Sequence, residues 1–199
     1  MFVLKEKEIE ELNKKIIGEN KDQEIVLGNG SVHSTMILIG EAPGAKEVEA
    51  KLPFVGQAGK HLEEFLNILE LDRKELYITN TVKFRPTRIS SKTGGKINRA
   101  PSKKEIESFK EYLFDEIDMI GPKVIVTLGN VPLKTIIGNE NAKIGDLHGK
   151  NDKVNIKNRE YNLFPLYHPA AVIYRRELKE VYMEDLKKLK NFKERIIKD

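Results

Sequence analysis

No cysteine occurs among the 199 residues. That excludes disulfides, thiolate metal sites, iron–sulfur clusters held by this chain's own thiolates, and a cysteine nucleophile. Only four histidines are present, no two of them close together in sequence, so neither a zinc site nor any other metal site is expected. No apolar run approaches the roughly 18 residues needed to span a bilayer. No secretory pattern opens the chain, because residues 5–15 are mostly Lys and Glu, and a cytoplasmic protein without membrane contact is the expectation. The phosphate-cradling patterns G-x-x-x-x-G-K-[ST] and G-x-G-x-x-G are also missing, which weighs against a small-nucleotide-binding protein.

What is present suffices for one domain spanning residues 1–199: 39% of the residues are hydrophobic, enough for a core of modest size. The net charge of +4 is unevenly spread: residues 83–110 hold nine Lys/Arg against Glu105 and Glu107, a local excess that attracts phosphates or forms a solvated face.

Periodicity organises the chain as alternating helices and strands. Ile9, Leu12, Ile16 and Ile17 give an amphipathic helix over 5–17, and Leu62, Phe65, Leu66 and Leu69 mark another. Ser102 with Glu105 reads as a capping box opening a helix through Ile106, Phe109, Leu113 and Ile117. Leu133, Ile136 and Ile137 give one more, and 178–197 a basic closing helix. Strands are expected at 36–39, 76–79, 124–128 and 163–166, with a short one near 26–30 and a mobile loop over 86–101. The alternation predicts an α/β fold, a central four-stranded parallel sheet with helices on both faces.

Three segments follow predicted strands: Gly40-Glu41-Ala42-Pro43-Gly44 running on to Pro53-Phe54-Val55-Gly56, then Thr79-Asn80, then Tyr167-His168-Pro169-Ala170-Ala171. In open α/β sheets ligands bind outside the carboxyl ends of the strands, so a carboxylate, a ring, an amide and an imidazole converge on one crevice. Gly40 permits close backbone approach, Glu41 is placed to orient or deprotonate a water, and Phe54 beside a glycine offers a stacking face. Asn80 presents donor and acceptor together. The set suits a flat polar heterocycle better than a phosphate or a metal.

These segments, with Gln57-Ala58-Gly59, Tyr77-Ile78-Thr79-Asn80-Thr81-Val82-Lys83, Arg85-Pro86 and Pro122 to Gly129, stand in an order and spacing that closely resembles the family 4 uracil-DNA glycosylases over residues 24–190. The resemblance implies excision of uracil from DNA. Glu41 and His168 would be catalytic. Gly40, Ala42, Glu47, Phe54 and Asn80 would surround the base, with Glu47 excluding the thymine methyl. Lys83, Arg85, Arg88 and the Lys/Arg-rich loop after them would hold the backbone; Val172, Ile173 or Tyr174 would wedge into the stack while Arg175 and Arg176 bind phosphate. The partner implied is uracil-containing DNA, met by a monomer. Two other readings stay open: a non-catalytic DNA-binding relative, and a glycosylase for other deaminated bases.

Family 4 members usually carry a four-cysteine iron–sulfur cluster, and this chain departs from that. The family's Lys-Cys-Arg-Pro reads Lys83-Phe84-Arg85-Pro86, the next cysteine aligns with Phe109, and the amino-terminal pair falls near Asn13 and Ile16. No cofactor is expected; Phe84 and Phe109 are expected to touch in a small core beside the first helix.

Overall fold

In the computed structural model, residues 2–175 and 177–198 are described. The elements in chain order are α1 (Phe2–Glu19), β1 (Asn29–Gly30), β2 (Met36–Gly40), α2 (Ala45–Ala50), α3 (Gln57–Leu69), β3 (Tyr77–Asn80), β4 (Thr87–Ile89), β5 (Lys96–Asn98), α4 (Lys103–Ile120), β6 (Val124–Leu128), α5 (Asn130–Ile137), α6 (Ile144–Leu147), β7 (Asp152–Ile156), β8 (Arg159–Leu166), α7 (Pro169–Tyr174) and α8 (Leu178–Lys198).

The main sheet has six strands in the order β1-β3-β2-β6-β8-β7. The four expected strands form its parallel centre, and two antiparallel strands, β1 and β7, extend the edges. β7 escapes the sequence pattern because it is an edge: only Val154 and Ile156 face inward. Its link to β8 is a two-residue turn through Lys157 and Asn158, both with positive φ, without the Asn-Gly signature of such hairpins.

Each central strand is buried on both faces, as parallel sheets require. Met36 and Leu38 of β2 join Phe65, Leu66 and Leu69 of α3 and Leu186 and Leu189 of α8 in one core. Ile37 and Ile39, pointing the other way, join Ile9 of α1, Leu113 and Ile117 of α4, and Leu133 and Ile136 of α5 in the second. The predicted capping box opens α4: Ser102 Oγ accepts the Glu105 N–H at 3.3 Å and Glu105 accepts the Ser102 N–H at 2.7 Å. Gly121, left-handed at φ 56°, closes that helix.

A third, smaller core lies where α1 crosses α4. Leu12, Ile16, Val82 and Phe109 are buried in it, with Phe84 packed alongside. The Phe84 and Phe109 ring centroids are 5.6 Å apart, and Tyr112 meets Phe109 edge-on at 5.8 Å. The expected contact between the two phenylalanines is therefore present. The tract 86–101, expected as a loop, contains a hairpin instead: β4 and β5 pair antiparallel as a separate two-stranded sheet.

Candidate active site

Parallel pairing sets the ends of β2 and β3 level, with Gly40 opposite Asn80. β8 runs into His168, which caps α7. The three strand ends open on a cavity of about 520 Å³ whose wall includes Ala42, Glu47, Phe54, Asn80, Asn98 and His168. Gly40 lies beneath: a Cβ there would stand 2.6 Å from Phe54 Cζ and closer still to Asn80 Oδ1. Only glycine lets the ring and the amide close over the strand end.

Phe54 is 4% exposed and has φ 53°, a left-handed conformation uncommon for a non-glycine residue. Three groups hold it there. Arg73 donates to the carbonyls of Pro53 and of Phe54, the latter at 3.1 Å. Glu47 accepts the Gly56 N–H at 2.6 Å and the Gly44 N–H at 3.1 Å, joining the two loops with one buried carboxylate. Gly59 makes room for the Phe54 carbonyl, since a Cβ at 59 would collide with it. The Phe54 ring stacks towards His168, with centroids 6.3 Å apart and planes inclined by 30°.

His168 Nδ1 accepts the Ala170 N–H at 3.2 Å, which assigns the proton of the neutral ring to Nε2. Burial, with nearby His61 contributing, lowers the pKa to about 4, so the imidazole is neutral at physiological pH. Asn80 is 4% exposed, and its carboxamide hydrogen-bonds to no group among the described residues. Beside the main cavity a recess of about 220 Å³ shares Ala42, Asn98 and His168 with it and adds Glu41 and Arg99. Burial raises the Glu41 pKa above the ordinary glutamate value. The arrangement thus offers a stacking ring, an unengaged amide, a neutral N–H donor and a carboxylate of raised basicity around one space.

One sequence expectation is corrected. Lys83, expected on DNA, is 0% exposed. Its ammonium pairs with Glu116 of α4 and donates to Thr79 Oγ1 at 2.6 Å and to the Asn80 carbonyl at 2.9 Å. It belongs to the interior because its partner Glu116 on α4 is buried with it, a pairing across the chain that local charge density does not reveal. Val172, one of three residues expected to supply the wedge, is half-buried and packs with part of its surface against the core shared by α3 and α8. Arg85, part-buried, donates through Nε to Asn98 Oδ1 at 2.7 Å. Arg88 and Arg175 are exposed. The side chains of Ile173 and Tyr174, and the whole of Arg176, lie outside the described residues.

Sequence reading missed Asn98 and Arg73. Asn98 reaches the cavity because β5 ends there. Two three-residue alternating stretches around Gly94-Gly95 were the available signal for that hairpin. Arg73 lies 19 residues from the carbonyl it holds and carries no local signal.

An iron–sulfur cluster does not fit this chain. The positions aligned with its ligands carry no thiolate, and Ile16 and Phe109 there are buried in mutual apolar packing. No step of the chemistry runs through such a group.

Residues 27–196 match the Uracil DNA glycosylase superfamily. The type-4 uracil-DNA glycosylase of Sulfurisphaera tokodaii is 39% identical over 169 residues, 83% of this chain and 73% of that protein. That of Pyrobaculum aerophilum is 37% identical over 164 residues, 81% and 79% of the two chains. The one from Thermotoga maritima is 32% identical over 171 residues, 84% and 82%. With the family matched over most of its length and each of these relatives covered beyond two thirds, the chain belongs to the uracil DNA glycosylase superfamily and is similar to its type-4 members.

Proposed function

We propose that this protein excises uracil from DNA by hydrolysing the N-glycosidic bond, leaving an abasic site. The observation that carries the reading is the convergence of Phe54, the unengaged Asn80 carboxamide and the neutral His168 on one cavity. A base within a duplex is out of reach, so the nucleotide is extruded first. Uracil then stacks on Phe54. The Asn80 amide donates to O4 and accepts from N3–H; cytosine, with the opposite pattern on that edge, leaves both groups mismatched.

Cleavage of the C1′–N1 bond sends its electron pair to the base, and the charge gathers on O2. His168 Nε2–H donates there. A neutral donor suits this role because it strengthens as the anion forms, and removing one aimed donor costs roughly 2.7–4 kcal/mol of transition-state stabilisation. Water attacks C1′ from the side of the Glu41 recess, and Glu41 takes its proton. Burial that raises the basicity of Glu41 supports that assignment. Glu47, fixed by its two backbone bonds, walls the cavity where a thymine methyl would sit. Arg175 meets phosphate. The protein works as a single-domain cytoplasmic monomer, and no described helix is long and apolar enough to cross a membrane.

The test is incubation with oligonucleotides carrying uracil, hypoxanthine or thymine, followed by alkaline cleavage of abasic sites. Product from uracil, and its loss in folded His168→Ala and Asn80→Ala, is expected. No product from single- or double-stranded uracil DNA would remove the enzyme reading, and unchanged rates in both variants would remove the assigned roles.

A further inference from the structure

The β4–β5 hairpin belongs to neither face of the main sheet, yet it is firmly built. Thr87 pairs with Asn98, Arg88 with Ile97, and Ile89 with Lys96. At its tip the Ser90 N–H donates to the Gly95 carbonyl and the Gly94 N–H to the Ser90 carbonyl, both at 2.9 Å, with Gly94 at φ 67°. At its base the Arg99 N–H donates to the Pro86 carbonyl at 3.1 Å. The Arg99 guanidinium donates to both Glu105 oxygens at 2.7 Å, tying the arm to the start of α4.

This construction buries little. Ile89 is 64% exposed, more than any other large hydrophobic residue described. No Asp or Glu occurs between residues 83 and 104. Arg88, Lys92 and Lys96 form no ion pair among the described residues. The arm is rooted in the site, because Asn98 at the end of β5 forms part of the cavity wall. An ordered projection that carries three uncompensated cations and one bare aliphatic side chain, starting at the cavity, matches a polyanion with apolar sugar and base edges.

We propose that this hairpin is a DNA-gripping arm: Lys96 and Ile89, paired across the ribbon and so on one face of it, meet a phosphate and the adjoining sugar and base edge, while Arg88 on the opposite face and Lys92 at the tip neutralise further phosphates beside the extruded nucleotide. The proposal rests on the uracil-DNA reading and extends it to the flanking strand. The paired strand Lys96–Asn98 spans about 7 Å, which covers roughly two nucleotides at about 3.4 Å of axial rise each.

The experiment compares the full-length protein with R88A/K92A/K96A and with Ile89→Ala, on uracil-containing duplexes with long and with one-nucleotide flanks. The half-saturation concentration in single turnover and fluorescence anisotropy are read against salt. Released counterions contribute a slope of about −0.9 per phosphate on duplex and about −0.7 on single strands. The triple variant is therefore expected to flatten the log–log salt dependence by about 2.7 and about 2.1, respectively. The loss falls on half-saturation rather than on the saturated rate, and disappears on short flanks. Ile89→Ala is expected to weaken duplex binding several-fold with the slope unchanged. A triple variant with wild-type slope and affinity overturns the arm, and leaves a protein partner as the hairpin's occupant. If the wild type excises nothing, the catalytic reading fails, while the anisotropy slope still decides the arm.

Discussion

Replacing Lys83 with Met tests whether the interior of this protein supports base recognition from below. In the native structure its ammonium, 0% exposed, meets the equally buried Glu116 and donates to Thr79 Oγ1 and the Asn80 carbonyl. Burial pulls the ammonium's pKa down, and Glu116 opposes that shift. The Met variant strands a carboxylate with only the Tyr77 and Thr79 hydroxyls, at 3.2 and 3.1 Å. Removing one partner of a buried pair costs about 3–5 kcal/mol, which for a chain of this length lowers Tm by about 6–20 °C. Lys83→Met/Glu116→Gln neutralises both sites, keeps an acceptor for Tyr77, and is expected to regain most of that loss. It still lacks the donor on the Asn80 carbonyl. If that bond fixes where the carboxamide stands, the double variant keeps a KM for uracil DNA raised on the order of tenfold, equivalent to about 1.4 kcal/mol, at normal thermal stability. Calorimetry and single-turnover kinetics measure both quantities. A Met variant melting within about 2 °C of wild type would refute the energetic argument; a double variant with native KM would reduce the pair to a purely structural one.

Other expectations follow from the same geometry. Glu41 must be ionised to accept a proton, and burial raises its pKa, so kcat/KM should fall on acidification through an apparent pKa above the ordinary glutamate value of 4.5; Glu41→Gln should abolish that limb, and an acid limb unchanged in this variant contradicts the assignment. Gly59→Ala drives a Cβ into the Phe54 carbonyl, so it should cost about 1–3 kcal/mol of stability and raise KM through the displaced ring; a silent substitution would show that the loop yields freely. Chelators of iron should leave both Tm and activity unchanged, and a fall in either would expose a metal-dependent state.

Much of the layout was legible because long-range packing here obeys local rules. The four parallel strands announce themselves as apolar runs, since both faces are covered, and Ser102 with Glu105 states where α4 begins. Gly40, Asn80 and His168 could be placed together because each ends or follows a strand of the parallel centre, whose carboxyl ends all lie on one side of the sheet. What stayed hidden depends on pairing across the chain. Lys83 sits within a cationic tract, and nothing nearby shows that Glu116, 33 residues on, meets it in the interior. The hairpin left only a faint signal, because its strands are three residues long and neither buries a side chain, and Asn98 went unseen with it.

The small core that stands where relatives are expected to hold a cluster is joined to the active site through α4. Phe109 and Glu116 stand on that helix seven residues apart, two turns and about 10 Å along its axis. Their partners, Phe84 and Lys83, are adjacent in sequence. The segment leaving β3 is thus held to α4 at two points, one apolar and one ionic, and the ionic one bears on Asn80. Phe109→Ala should then do more than destabilise. Truncating a buried Phe costs about 3–5 kcal/mol, and Ile156→Ala on β7, in the second core and four strands from β3, costs about 2–5 kcal/mol. If the third core only supports the fold, both variants lower Tm and leave KM alone when assayed well below their melting points. If it anchors the strand end that presents the carboxamide, KM for uracil DNA rises in Phe109→Ala and not in Ile156→Ala, and an equal KM in the two would break the link between the replaced core and the recognition of the base.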